Sequence, residues 1–303
     1  MSGFAQQFSQ YSLYNFNNFL INPAVAGTRA CTDSRLGYRN QWLGFDGNPI
    51  SFYASAHVQI KSRKTGYMKV KHALGSYVEN DQTGPSSRNS FVAAYAIHIP
   101  VRSRTYLSCG IFAGFIQYSF NNNYLKSLDV TDPAQTGNGS RFIIPELSPG
   151  VYLYNPKYFA GLSVKSILGN NISVLPAGNK LSRHFYLTAG RKFQLSDRKS
   201  ALMPTIAVRY AMFGPVSIDL TGVYDIKGRL LLGLSYRGIR GGSDAVAFLK
   251  LVVNRSLDIG YAFDFPLSQV RLATLQTHEL LIGFKICSSH ERPADYFECP
   301  AYQ

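Results

Sequence analysis

Apolar and polar residues alternate along most of this chain, in segments of roughly 9 to 12 residues. Residues 257–265 are typical, because every second position carries a large apolar side chain and the positions between carry Asp, Gly, Ala and Asp. This period of two belongs to an extended strand whose faces differ. No stretch of 20 apolar residues occurs, so the sequence offers no membrane-spanning helix.

The alternation predicts strands at evenly spaced positions, with turns that leave room for no linker. We place them near residues 32–43, 50–61, 69–80, 88–100, 105–120, 147–155, 157–168, 183–195, 200–212, 215–226, 228–237, 244–254, 256–265 and 274–286.

The second face of these strands distinguishes a membrane barrel from a soluble sandwich. Val216, Ile218 and Leu220 face one way, whereas the positions between them carry Ser, Asp and Thr. An apolar face towards lipid and a small or charged face towards a lumen are typical of outer-membrane barrels.

We predict an all-β fold, a transmembrane antiparallel β-barrel of about 14 strands. A soluble β-sandwich is the alternative, which heat-modifiable migration on a gel would exclude. Charged side chains predicted to pair across the lumen are Lys165, Arg209, Asp219, Asp258, Asp264 and Glu279.

The connections between strands sort by length. Tight turns are predicted at residues 155–156, 196–198, 226–228 and 254–255, all at even-numbered junctions, and long connections at residues 121–146, 169–182 and 238–243, at odd ones. Short turns on one rim and longer loops on the other are expected of a single-chain outer-membrane barrel with both termini in the periplasm.

Composition agrees with one large domain. The 303 residues include 20 Tyr and 20 Phe but one Trp, as aromatic interfacial belts require. We divide the chain into a lead-in or plug (1–30), the barrel (31–286) and a periplasmic tail (287–303). The net charge of +14 comes from scattered basic residues, which disfavours nucleic acid as a partner. Two placements would explain this positive charge: turns that lie beside acidic lipid headgroups, and side chains that line a lumen.

The start lacks a signal peptide of ordinary length, although Gly3-Phe4-Ala5 resembles the end of a cleavage site. We expect a truncated leader and a mature chain beginning at Gln6 or Gln7.

Four cysteines are present. Cys287 and Cys299 are predicted to form a disulfide in the periplasm, since the short segment between them closes readily. Cys31 and Cys109 are expected to be inert packing residues.

Catalytic and metal-binding motifs are missing from the sequence. The adjacent pair His278-Glu279 would point to opposite faces of a strand and could not act together. Asp129 and Asp132 lack the spacing of a calcium loop. We therefore expect no enzyme, no cofactor and no metal site.

The amide- and aromatic-rich stretch from residue 7 to residue 24 precedes the first strand. One interpretation is a periplasmic lead-in whose aromatic residues pack under or inside the barrel mouth. The other is a plug or docking segment, and the two interpretations are compatible.

Three stretches, at residues 7–11, 21–27 and 38–49, closely resemble the PorP/SprF family of Bacteroidota outer-membrane proteins. Residues 55–57, 80–85 and 277–284 also match, so the resemblance extends from residue 7 to about 285. The tail after residue 286 departs from the pattern, and we hypothesise that it docks in the periplasm or caps the rim.

The resemblance implies a non-enzymatic barrel of the type IX secretion and gliding machinery, which binds, helps export or anchors a secreted surface protein. Implied partners are the C-terminal domain of a secreted adhesin and periplasmic components, namely a ring lipoprotein and a peptidoglycan-binding protein. The alternative is a passive porin-like channel. Candidate partner-binding or plug residues are Gln7, Phe8, Tyr11, Tyr14, Phe16, Asn22, Pro23, Trp42, Phe45 and Asp46.

Overall fold

The computed structural model describes residues 9–60, 70–102, 104–121, 141–169, 181–197, 199–212, 214–239, 242–267 and 276–287. Three short 3-10 helices come first: Leu13–Phe16, Asn18–Leu20 and Pro23–Val25. In the described ranges, no helix is long and apolar enough to cross a membrane.

Fifteen strand segments follow the 3-10 helices. They are β1 (Thr32–Asn40), β2 (Ile50–Ile60), β3 (Lys71–Thr83), β4 (Ser86–Arg102), β5 (Thr105–Phe120), β6 (Arg141–Tyr154), β7 (Tyr158–Lys165), β8 (His184–Arg191), β9 (Phe193–Gln194), β10 (Ala201–Ala211), β11 (Val216–Ile226), β12 (Leu230–Ile239), β13 (Gly242–Val252), β14 (Leu257–Pro266) and β15 (Thr277–Ile286). Each of the fourteen predicted strands is found.

Each strand pairs antiparallel with its sequence neighbours, and the last pairs with the first. β8 and β9 lie end to end against β10 in one continuous register, so they count as one strand of the barrel. Thr32 at the start of β1 pairs with Ile286 at the end of β15, which closes the sheet into a 14-strand barrel. Closure pairs the backbone groups that an open edge would expose to lipid.

Burial alternates along the strands as the sequence predicts. In β14, Asp258 and Asp264 are buried, whereas Ile259, Tyr261 and Phe265 are exposed. The exposed apolar side chains form a belt around the barrel, since their faces point away from the lumen. This inversion, with apolar residues outside and polar residues inside, is expected of a protein solvated by lipid.

Two rims result from this topology. The proximal rim carries the start of β1 and the end of β15; the distal rim carries the β1–β2 connection, residues 41–49. All four predicted tight turns lie at the proximal rim. The prediction of a long connection at residues 238–243 is wrong, because Ile239 pairs with Gly242 and the strands continue almost to the turn.

The predicted disulfide between Cys287 and Cys299 is also wrong. Cys287 is bonded to Cys31, with 4.5 Å between their Cα atoms. Because Thr32 pairs with Ile286, these cysteines occupy the next position along the seam between first and last strand. Cys31 is therefore not an inert packing residue, and Cys299 lies outside the described residues. Cys109 is an exposed free thiol on β5.

Candidate functional site

The lumen of the barrel is occupied by the chain's own N-terminal residues. Every residue from 11 to 29 is buried, and we call this stretch the lumen segment. It runs from the distal half of the lumen, where Tyr11 contacts β3, to the proximal rim, where Gly27 contacts β2. Ser9, the first described residue, lies against Ser51 and Arg88 near the distal rim.

The distal end of the lumen segment is held by carboxylates of the barrel wall. The Tyr11 hydroxyl donates to Glu79 at 2.7 Å. The Ser12 amide donates to Glu279 at 2.6 Å, and its hydroxyl donates to Asp264 at 2.7 Å. Charge-assisted hydrogen bonds of this kind are stronger than neutral ones, so they fix the position of this end.

Arginines balance these carboxylates within the wall. Arg39 reaches Asp264 at 2.8 Å and Glu279 at 3.1 Å, and its guanidinium also donates to Ser12. Arg209 and Arg237 both pair with Asp219. Charges buried away from water must be paired, and here nearby strands of the wall supply the opposite charges.

The proximal wall carries a second charged group. Asp33 pairs with Arg29, the last residue of the lumen segment, and with Arg35, both at 2.6 Å. Asp258 pairs with Arg35 and with Lys285. The prediction that inward charges pair is confirmed for Arg209, Asp219, Asp258, Asp264 and Glu279. The Lys165 ammonium lies over the rings of Tyr77 and Tyr186.

Aromatic side chains fill the middle of the lumen. The Lys250 ammonium lies 4.4 Å from the centre of the Phe16 ring, and Phe248 meets the same ring edge-on. Phe19 packs edge-on against Phe112 and His57. These contacts bury apolar area and add favourable ring geometry.

Asn22, Pro23 and Ala24 fit against glycines of the wall. The Asn22 side chain accepts from the Ala24 amide at 3.0 Å and caps a 3-10 helix that has Pro in its first position. Its amide donates to the Val151 carbonyl of β6 at 3.0 Å. A Cβ at Gly110 would lie 2.6 Å from the Ala24 nitrogen, so only glycine fits there.

These wall glycines were not predicted as site residues. Gly110 pairs with Gly150, and a Cβ at Gly150 would lie 2.3 Å from Asn22 Oδ1. Glycine in a strand interior signals a close backbone approach. That signal could have marked this position, although not what approaches it.

A second feature is the β1–β2 connection at the distal rim. The Asn48 side chain donates to the Gln41 carbonyl, and the Leu43 amide donates to the Gln276 carbonyl. Phe45 is 53% exposed despite this fixed backbone. Trp42 adopts a φ of 55°, a backbone conformation that is strained for a bulky side chain.

The candidate residues thus separate into two places. Those in the lumen are Tyr11, Tyr14, Phe16, Asn22 and Pro23, and those on the distal loop are Trp42, Phe45 and Asp46. Gln7 and Phe8 lie outside the described residues, as do Asp129, Asp132 and the tail from residue 288.

Across the described ranges, no group of three or more His, Cys, Asp or Glu residues could hold a metal ion. His278 and Glu279 point to opposite faces, as predicted: His278 bonds to the Tyr261 hydroxyl outside, and Glu279 bonds to Ser12 inside.

Comparison with known proteins gives a family and a fold. The model of a family described as type IX secretion system membrane protein PorP/SprF matches residues 3–284. No curated protein matches the chain. Omp33 of Acinetobacter baumannii is similar in structure, with a TM-score of 0.50 and 9% identity over 86% of this chain and 100% of that one. A monoaromatic hydrocarbon channel, CymD, has a TM-score of 0.56 and 10% identity, over 91% and 94%. At these identities the likeness shows the barrel fold alone.

Proposed function

Because this chain belongs to the PorP/SprF family of type IX secretion system membrane proteins and forms an outer-membrane β-barrel, we propose that it acts as a closed, non-enzymatic scaffold of that system. In this role it binds, helps to export or anchors a secreted surface protein. The C-terminal domain of a secreted adhesin is the proposed partner outside. Periplasmic components, a ring lipoprotein and a peptidoglycan-binding protein, are the proposed partners inside.

The filled lumen is the observation that carries this proposal. A 14-strand barrel has room for water, but here residues 11–29 occupy the interior and bond to its wall. A transport pore would need to displace charged hydrogen bonds and close backbone contacts together. The barrel therefore suits a rigid anchor whose loops make the contacts.

The short turns support an orientation. Single-chain outer-membrane barrels have short periplasmic turns and longer outer loops. The proximal rim, with the disulfide, accordingly faces the periplasm, and the distal rim faces outwards. The exported protein then meets the distal loops.

The distal loop at residues 41–49 is the proposed contact surface for the exported protein. Leu43 and Phe45 are exposed on a backbone fixed by hydrogen bonds. Exposed aromatic side chains on a preorganised loop lose little entropy on binding, and aromatic residues are frequent energetic centres of interfaces.

Site-specific photo-crosslinking tests this proposal. A photo-crosslinking residue replaces Phe45 in one strain and Val253, an equally exposed residue of a proximal turn, in another. Crosslinking of a secreted surface protein at position 45 and not at 253 is expected, and the Phe45→Ser variant should lose its co-purification while its barrel still folds. Crosslinks to lipid alone at position 45 would refute the proposed contact surface for the exported protein.

Single-channel conductance separates the scaffold from a passive channel. The wild-type barrel should be silent in a planar bilayer, and deletion of residues 7–27 should produce a steady current. A wild-type protein with an open current would instead support a porin-like channel.

A further inference from the structure

The proximal rim presents exposed cations at turn after turn. Arg104, Lys157, Lys199, Lys227 and Arg255 are exposed on the β4–β5, β6–β7, β9–β10, β11–β12 and β13–β14 connections. We call these five residues the basic ring. The remaining proximal turn, between β2 and β3, lies mostly outside the described residues. Among the described residues of these five turns, Asp197 is the exposed acid.

Four of these turns share one construction. The side chains of Asn155, Asp197, Asp225 and Asn254 each accept a backbone amide two or three residues further on. Such turns mimic a backbone turn and fix the tip. The cation follows the capping residue by one or two positions in every case, so each of the four charges is carried by a turn that hydrogen bonds hold in place.

The ring lies directly beside the apolar belt. Tyr158 follows Lys157, Val253 precedes Arg255 by two residues, and both apolar side chains are exposed on the outer surface. Consecutive proximal turns are two strands apart, or roughly 10 Å. This spacing is about one Debye length at 0.1 M salt, so each cation acts mainly on its own nearest anion.

We propose that the basic ring binds the phosphate headgroups of anionic phospholipids in the leaflet around the proximal rim. The cations surround the barrel, and the bilayer is the partner that surrounds it, whereas one protein would contact a single sector. Attachment to headgroups on all sides fixes the depth and tilt of the barrel. Only the choice of the inner leaflet rests on the orientation proposed above.

The distal rim provides a matched control. Its exposed cations among the described residues are Arg141 and Arg183. The test variant Lys157→Gln/Arg255→Gln and the control Arg141→Gln/Arg183→Gln each lose two charges. Heat-modifiable migration on a gel verifies that both fold, and a variant with all five ring positions changed to Gln extends the series.

Native mass spectrometry of the detergent-purified protein measures the preference, with equimolar phosphatidylglycerol and phosphatidylcholine as probes. The wild type and the distal control should bind phosphatidylglycerol preferentially. In the proximal variants this preference should fall about fivefold for each ring cation that is replaced. Equal binding of both lipids by the wild type, or an unchanged preference in the five-site variant, would overturn the proposal.

Photo-crosslinking residues at positions 227 and 255 exclude the rival partner. Lipid adducts in cells are expected at both positions, and capture of one acidic protein at both would overturn the lipid assignment.

Surface labelling tests the orientation separately from the lipid proposal. An impermeant thiol reagent should modify the Phe45→Cys variant but not the Lys227→Cys variant in whole cells. The reverse pattern would refute the orientation while leaving the lipid preference measurable.

Discussion

Replacing Gly110 with alanine tests how closely the lumen segment fits the wall. Gly110 lies on β5, where an added Cβ would be 2.6 Å from the nitrogen and 2.7 Å from the Cα atom of Ala24. Ordinary contact begins at 3.4 Å, so the segment's backbone must move away by about 0.8 Å (2.6 to 3.4 Å). Backbone held by the Asn22 cap cannot rotate away as a flexible side chain would.

The expected cost follows from overpacking. Adding a methyl group to a well-packed interior usually costs about 1–3 kcal/mol. Gly222→Ala is the matched control, because Gly222 also lies within a strand but has no atom within 4 Å of the added Cβ. Alanine there should be neutral or stabilising by up to ~1 kcal/mol, since it restricts the unfolded chain.

Two measurements follow the effect. The urea midpoint of unfolding in detergent, read from heat-modifiable gel migration, should fall for Gly110→Ala and not for Gly222→Ala. A cysteine at Ser12, in a Cys109→Ser background, should become reactive to a thiol reagent when the segment is displaced. Equal midpoints for both variants, with position 12 still protected, would refute the proposed fit.

Two further changes test the charges and the seam. Arg39→Ala should destabilise the barrel by about 3–5 kcal/mol, because it leaves Asp264 and Glu279 buried with less compensation; a urea midpoint equal to that of the wild type would contradict this. Cys31→Ser should cost about 2–4 kcal/mol, and reductant should reproduce the loss in the wild type. Cys109→Ser is the control, and a similar loss there would show that the seam disulfide is not the cause.

Local alternation was sufficient to find the strands. Period-two burial depends on neighbouring residues alone, so Val216, Ile218 and Leu220 could be assigned to the outer face and Asp219 to the lumen. The pairing of inward charges followed from the cost of leaving them unpaired.

Features that depend on barrel closure could not be read from local sequence. The disulfide was assigned to Cys299 by chain distance, whereas closure places Cys31 beside Cys287 across 256 residues. The fit of Ala24 against Gly110 and of Asn22 against Gly150 likewise requires the register of β5 and β6. The sequence suggested a plug or lead-in, but not the wall that receives it.

Purification of the native barrel from outer membranes after gentle crosslinking tests the scaffold function most directly. Mass spectrometry should identify a large secreted surface protein with the wild type, with or without periplasmic components. The secreted protein should be depleted with Phe45→Ser, at equal recovery of folded barrel. A wild-type barrel recovered without any secretion partner, and conducting ions in a bilayer, would contradict the account.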